Sequence, residues 1–141
     1  ATFTAQEESG YQIFKANCAT CHTEPLFTDY SYRNIGLPID HHLEDFGRIR
    51  VTGKKEDSLK FKVPTLRNTY ISSNYMHDGR FITLEEVLTH YNSGGKSHPT
   101  KDPLMRPLGL SQEQKNAIIA FLHSLTDDSF IGDTTLSNPW K

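Results

Sequence analysis

Cys18-Ala19-Thr20-Cys21-His22 is the stretch on which the reading of this chain turns. Two cysteines at i and i+3, followed directly by a histidine, form the attachment signature of a c-type haem. The spacing has a physical reason. Two thioether bonds to the vinyl groups pin one porphyrin edge to a single turn of backbone, and the next residue can then reach the iron with its imidazole as proximal ligand. Cys18 and Cys21 are the only cysteines in the chain, so the motif consumes its whole thiol inventory. A redox dithiol and half of a zinc site are the competing readings. The first wants a helix N-terminus after a strand, and the second wants another ligand pair at matched spacing. Neither context stands in this sequence, and the histidine after Cys21 is the discriminating element.

The chain has 141 residues, the size of one domain. Lys and Arg number 15 against 17 Asp and Glu, a net charge of -2. That balance is neither a nucleic-acid footprint nor a polybasic membrane anchor. Hydrophobic residues make up 35% and the mean hydropathy is -0.57, lean for a self-sufficient core. A buried macrocycle would supply the missing apolar surface, worth about 25 cal/mol per Å². No apolar run approaches the ~18 residues of a membrane span. The start Ala1-Thr2-Phe3 follows no charged-then-apolar leader and is compatible with a mature terminus after signal cleavage.

Upstream of the motif a helix is expected from Thr4 to Asn17. Thr4 and Glu7 form a capping box, and Gly10 lies four residues before Phe14, where a glycine permits close approach of another helix. Downstream, Thr23 to Pro38 is loop-like and aromatic, with Phe27, Tyr30 and Tyr32 as candidates to wall the haem. Asp40 to Thr65 is charged, and Ile49 and Val51, then Phe61 and Val63, alternate with charged residues, which predicts two short strands around Gly53. A second helix is expected from Thr83 to near Asn92, with Thr83 and Glu86 as capping box, Leu84, Val87, Leu88 and Tyr91 on one apolar face, and Gly94-Gly95 as the stop. The last helix starts at Ser111 with Gln114 completing its box; Ile118, Phe121, Leu122 and Leu125 form the buried stripe and are the natural partner for the Gly10/Phe14 face. The expected fold is mainly α: a cytochrome c-like helical domain over residues 1–125, built around one covalently bound haem with long ordered loops. Residues 126–141 form a polar C-terminal tail with two isolated anchors, Phe130 and Trp140.

These segments in this order resemble a known family. Val63-Pro64-Thr65-Leu66-Arg67-Asn68 and Tyr75-Met76-His77-Asp78-Gly79, with Cys18–His22 before them and the Gly94-Gly95 helix after, are similar to the C-terminal haem domain of bacterial dihaem cytochrome c peroxidases and their MauG-type relatives. The resemblance covers nearly the whole chain apart from its tail. It implies an electron-relay haem that passes electrons to or from a peroxide-reacting haem in an N-terminal domain. That family carries two attachment motifs and this chain carries one, so the resemblance is to part of a peroxide-dependent oxidoreductase. The chain is then a fragment or subunit holding the relay haem, working with a second haem domain or a redox partner. The alternative is a free-standing monohaem cytochrome c electron carrier; a third reading is weak peroxidase activity at this haem itself. Covalent haem attachment outside the bacterial cytoplasm implies an exported, periplasmic protein. The family also holds a calcium ion between its domains through backbone carbonyls at positions matching Ser72 and Asn74; its remaining ligands belong to the other domain, so this chain offers only part of a set.

The sixth iron ligand has several candidates. Ligand chemistry alone favours a methionine, Met105 in the Pro-flanked loop or Met76, since a thioether raises the potential. The resemblance implies Tyr91, the position that carries Met in the peroxidases and Tyr in MauG-type proteins. A phenolate is a hard anionic donor with the opposite effect, stabilising ferric iron. An open site completes the set. His90 points about 100° away from Tyr91 on a helix, His77 reads as a hydrogen-bonding residue, His41 and His42 as solvated, and His98 and His123 as incidental. Arg67 and Arg80 are candidates for pairing with haem propionates or an interface.

Overall fold

Two helices cross at the centre of the domain, and a glycine makes the crossing. In the computed structural model, which describes residues 2–140, α1 spans Ala5–Asn17 and its capping box is formed on both sides by Thr4 and Glu7. The last long helix, Gln112–Ser124, opens on a capping box of Ser111 and Gln114. At Gly10 a Cβ would lie 1.9 Å from the Ala117 carbonyl oxygen, so the backbones touch where any side chain would hold them apart. Around that contact Phe14, Ile118 and Phe121 are each 1% exposed. The Phe14 and Phe121 rings stand 5.0 Å apart, and Phe27 meets both, at 5.8 and 6.1 Å. Burying such rings dominates the core energetics. Phe27 therefore serves the helix crossing, while Tyr30 and Tyr32 stay exposed under the cations of Lys62 and Arg48.

The charged middle of the chain departs from the expected hairpin. β1 is Tyr32–Arg33, α2 is Ile49–Thr52 and β2 is Phe61–Lys62. β2 pairs antiparallel with β1, Tyr32 opposite Lys62 and Arg33 opposite Phe61. Ile49 and Val51 belong instead to the single turn α2, closed by Gly53 at φ 67°, whose N–H donates to the Ile49 carbonyl at 2.8 Å. Val51 is fully on the surface, so its alternation with charges reported no buried face. The strand at Phe61 was real, but its partner is distant in sequence.

α3 spans Leu84–Ser93, with the Thr83/Glu86 capping box at its start and Gly94, at φ 79°, as its left-handed cap. Leu84 and Leu88 pack into the core formed by Phe14, Ile118, Phe121 and Leu122. α4 is the Gln112–Ser124 helix already described, and α5 covers Asp128–Ile131, with a 3₁₀ turn at Thr134–Leu136 after it. Phe130 and Trp140 are exposed, so neither anchors the tail to this domain. The terminal Ala1 and Lys141 of the expected domain and tail lie outside the described residues. Among the described residues no helix is long and apolar enough to cross a membrane.

Candidate haem site

The end of α1 builds the attachment turn. The N–H groups of Cys18 and Ala19 both donate to the Phe14 carbonyl, at 2.7 and 3.1 Å, and close the helix. Cys21 and His22 then donate to the Cys18 carbonyl at 3.2 and 3.0 Å. One turn thus carries both sulfurs and the imidazole. His22 Nδ1 donates to the Phe27 carbonyl at 3.0 Å, which fixes the ring and leaves the Nε2 lone pair for a metal. Burial lowers the imidazole pKa, against the Phe27 and Pro64 carbonyls, so the ring is held in its neutral, ligating form.

Both cysteines are free and partly buried. Burial, aided by the neighbouring Cys21, pushes the Cys18 thiol up to about 11, and burial raises Cys21 as well. A redox dithiol needs the opposite, a thiolate stabilised near neutral pH. Among the described residues no group of three or more His, Cys, Asp or Glu side chains could hold a metal ion, so the half-zinc-site reading finds no second half.

Tyr91 sits in the last turn of α3. Burial, and then charge on Cys18 and Cys21, push its hydroxyl well above the ordinary tyrosine range. Tyr91 follows Leu84 and Leu88 on the face of α3 that packs into the core, and Cys18 packs against that same core. His90 points elsewhere, its Nε2 donating to the Ile35 carbonyl at 2.9 Å. Met76, in the left-handed region at φ 71°, and Met105, whose N–H donates to the Asp102 carbonyl, are both half-buried. Two thiols on one turn, an imidazole oriented through its Nδ1 and a phenol on the core-facing side of α3 make a donor set that fits a covalently held haem.

The other histidines are mostly engaged. His77 stacks on Phe61 at 3.6 Å, and His123 meets the Tyr70 ring edge-on at 4.2 Å. His98, read as incidental, is structural: its Nδ1 accepts from the amide of Asn34 at 3.2 Å and from the Thr100 N–H at 3.2 Å. Asn34 is 2% exposed and also donates to Thr100 Oγ1 at 2.9 Å, a buried network that sequence reasoning missed because its members lie far apart in the chain. Arg33 was missed likewise. It bridges Asp29 and Asp102, each at 2.8 Å, beside Cys21, and so ties the attachment turn to the loop that carries Met105. Arg80 is bound to Asp78, while Arg67 is half exposed and stands 3.8 Å from Asp127. Ser72 and Asn74 lie on the surface, the Asn74 side chain donating to the Gly79 carbonyl at 3.1 Å.

Comparison with known proteins identifies the family. Residues 7–126 match the cytochrome c family. The cytochrome-c peroxidase IdrP1 of Denitromonas iodatirespirans is 31% identical over 156 aligned positions, covering 89% of this chain and 42% of its own length. A crystal structure of a MauG-like protein associated with microbial copper homeostasis superposes with a TM-score of 0.89 at 32% identity, over 100% of this chain and 53% of the other. The Y463M variant of the dihaem peroxidase BthA from Burkholderia thailandensis superposes with a TM-score of 0.80 at 25% identity, over 94% of this chain and 44% of the other. The chain thus spans about half of these relatives or less. With its attachment turn, its helix crossing and these relatives in agreement, the chain belongs to the cytochrome c family, whose haem c is covalently held, and is homologous to the cytochrome c peroxidases and MauG proteins.

Proposed function

We propose that this chain is the electron-relay haem domain of a dihaem, peroxide-dependent oxidoreductase. Cys18 and Cys21 carry the single haem through thioethers, His22 is its proximal ligand and Tyr91 its sixth. The observation that carries this reading is the place of Tyr91 on the α3 face of Leu84 and Leu88, which packs into the core that Cys18 also touches. When bound, the haem supplies one-electron exchange between ferrous and ferric iron. The protein's own residues do the rest. The Phe27 carbonyl orients His22 and makes its free nitrogen more basic. The hydroxyl of Tyr91 keeps its proton until a cation replaces it, because burial disfavours a free phenolate. A phenolate donor favours the ferric state and leaves no position for peroxide, which suits a relay.

Arg67 is proposed to pair with a propionate: at 3.8 Å its contact to Asp127 is loose enough to release the guanidinium. The peroxide-reacting haem belongs to a second domain, the principal partner, and the carbonyls of Ser72 and Asn74 would join a calcium site only with ligands from that domain. Covalent haem attachment supports a periplasmic location.

Titration of the ferric holoprotein with hydrogen peroxide tests the relay reading. The expected result is an unchanged absorption spectrum over stoichiometric additions, with peroxide consumption no faster than the buffer blank. Conversion of the spectrum together with turnover of a peroxidase dye would make this haem itself the reacting centre and overturn the proposal.

A further inference from the structure

We infer that His90 is a positioning residue, whose hydrogen bond to the Ile35 carbonyl sets the rotation of α3 and thereby aims Tyr91 at the iron. The inference rests on the reading of Tyr91 as sixth ligand and goes beyond it.

Adjacent helical residues leave the axis about 100° apart. Fixing where His90 points therefore fixes where Tyr91 points. His90 Nε2 donates to the Ile35 carbonyl at 2.9 Å, and its ring has those of Phe81 and Tyr91 as neighbours, with centroids at 6.2 and 5.9 Å. The imidazole is thus held at its tip by the carbonyl.

The acceptor is as well fixed as the donor. Lys96 N–H donates to the Gly36 carbonyl at 2.7 Å, and Asn34 Oδ1 accepts from the Gly36 N–H at 2.8 Å. A Cβ on Gly95 would lie 2.5 Å from the Ile35 oxygen, and one on Gly36 would lie 2.7 Å from the Lys96 oxygen. The 34–37 backbone is therefore in direct contact with the chain that leaves α3. On another side a Cβ on Gly94 would stand 2.6 Å from the Pro107 nitrogen. These backbone contacts fix where the end of α3 lies. Within the last turn two side chains flank Tyr91: Asn92 exchanges hydrogen bonds with the Leu110 backbone at 3.1 and 2.8 Å on one side, and His90 bonds the Ile35 carbonyl on the other, so the His90 contact completes the setting of the rotation.

The alternative role for His90 is to satisfy a half-buried carbonyl and nothing more. That role changes stability without changing ligand exchange at the iron, so the test reads both. Ferric holoproteins are compared for thermal unfolding, absorption and cyanide affinity: wild type, His90→Phe, His90→Gln and Tyr91→Phe. Phenylalanine keeps the contacts to Phe81 and Tyr91 and removes the donor; glutamine restores a donor. His90→Phe is expected to raise cyanide affinity about five-fold, the scale of one lost buried hydrogen bond, with His90→Gln returning toward wild type. If His90→Phe is less stable yet binds cyanide as wild type does, while Tyr91→Phe changes the spectrum, the positioning role is overturned and the ligand survives. If Tyr91→Phe leaves the ferric spectrum unchanged, the ligand assignment itself falls. Should His90→Phe not accumulate as holoprotein, His90→Ala carries the same comparison.

Discussion

Replacing Gly10 with alanine tests the helix crossing on which the haem turn is built. The added Cβ would lie 1.9 Å from the Ala117 oxygen, 2.5 Å from its carbonyl carbon and 3.0 Å from the Ile118 nitrogen. An unstrained contact needs about 3.4 Å or more, so α1 and α4 must part by over an ångström. All three obstructing atoms are backbone, so no rotamer change relieves the clash. Overpacking of this kind costs about 1–3 kcal/mol, and here the gap would also loosen Phe14, Ile118 and Phe121, each 1% exposed, so the upper end applies. Alanine returns about 1 kcal/mol through helix propensity. The net expectation is a loss of about 2 kcal/mol, or a fall in Tm of roughly 7 °C. Far-UV circular dichroism of the unfolding holoprotein measures it. Gly53→Ala is the control, because a Cβ there meets nothing within 4 Å and pays only for φ 67°, about 1 kcal/mol. A Gly10→Ala protein as stable as wild type would refute the close crossing.

Further outcomes follow from other contacts. Thr83→Ala removes the N-cap of α3 and is expected to cost about 1 kcal/mol in denaturant unfolding, with Thr83→Ser near wild type. Arg67→Ala should change global stability by less than about 0.5 kcal/mol, since its pairing with Asp127 is loose and half exposed. The Asp29 carboxyl, which burial would raise, is drawn down to about 2 by the Ser31 hydroxyl and Arg33. A carboxyl depressed in the folded state stabilises above its unfolded value near 4, and that contribution is lost as pH falls from about 4 to 2. Wild type should therefore lose stability across that window more steeply than Asp29→Asn, as read by urea unfolding at each pH.

The helices were legible because their signals are local. Thr4 with Glu7, Thr83 with Glu86 and Ser111 with Gln114 are capping boxes four residues long, and all three close in the structure. Gly10 was readable as a contact point because a helical glycine costs propensity and needs a reason. The attachment motif was legible for the same cause, its chemistry being confined to five residues. What escaped was non-local. β2 pairs with β1 across the whole charged segment, and nothing near Phe61 points to Tyr32. The Asn34–His98–Thr100 network and the Arg33 bridge to Asp102 each join residues more than sixty positions apart. Their members are ordinary polar residues when read singly, and only folding makes them sites. Ile49 and Val51 misled because alternation over three residues fits one exposed helical turn as well as a strand.

Tyr91 is the proposed sixth ligand of the haem iron that His22 would hold. Electron paramagnetic resonance of the ferric holoprotein, wild type beside Tyr91→Phe, tests it most directly. With Tyr91 as ligand, the wild-type signal is lost in Tyr91→Phe and replaced by that of a high-spin or newly ligated iron, with haem still covalently attached. The same signal in both proteins, lost instead in Met105→Leu or Met76→Leu, would contradict it.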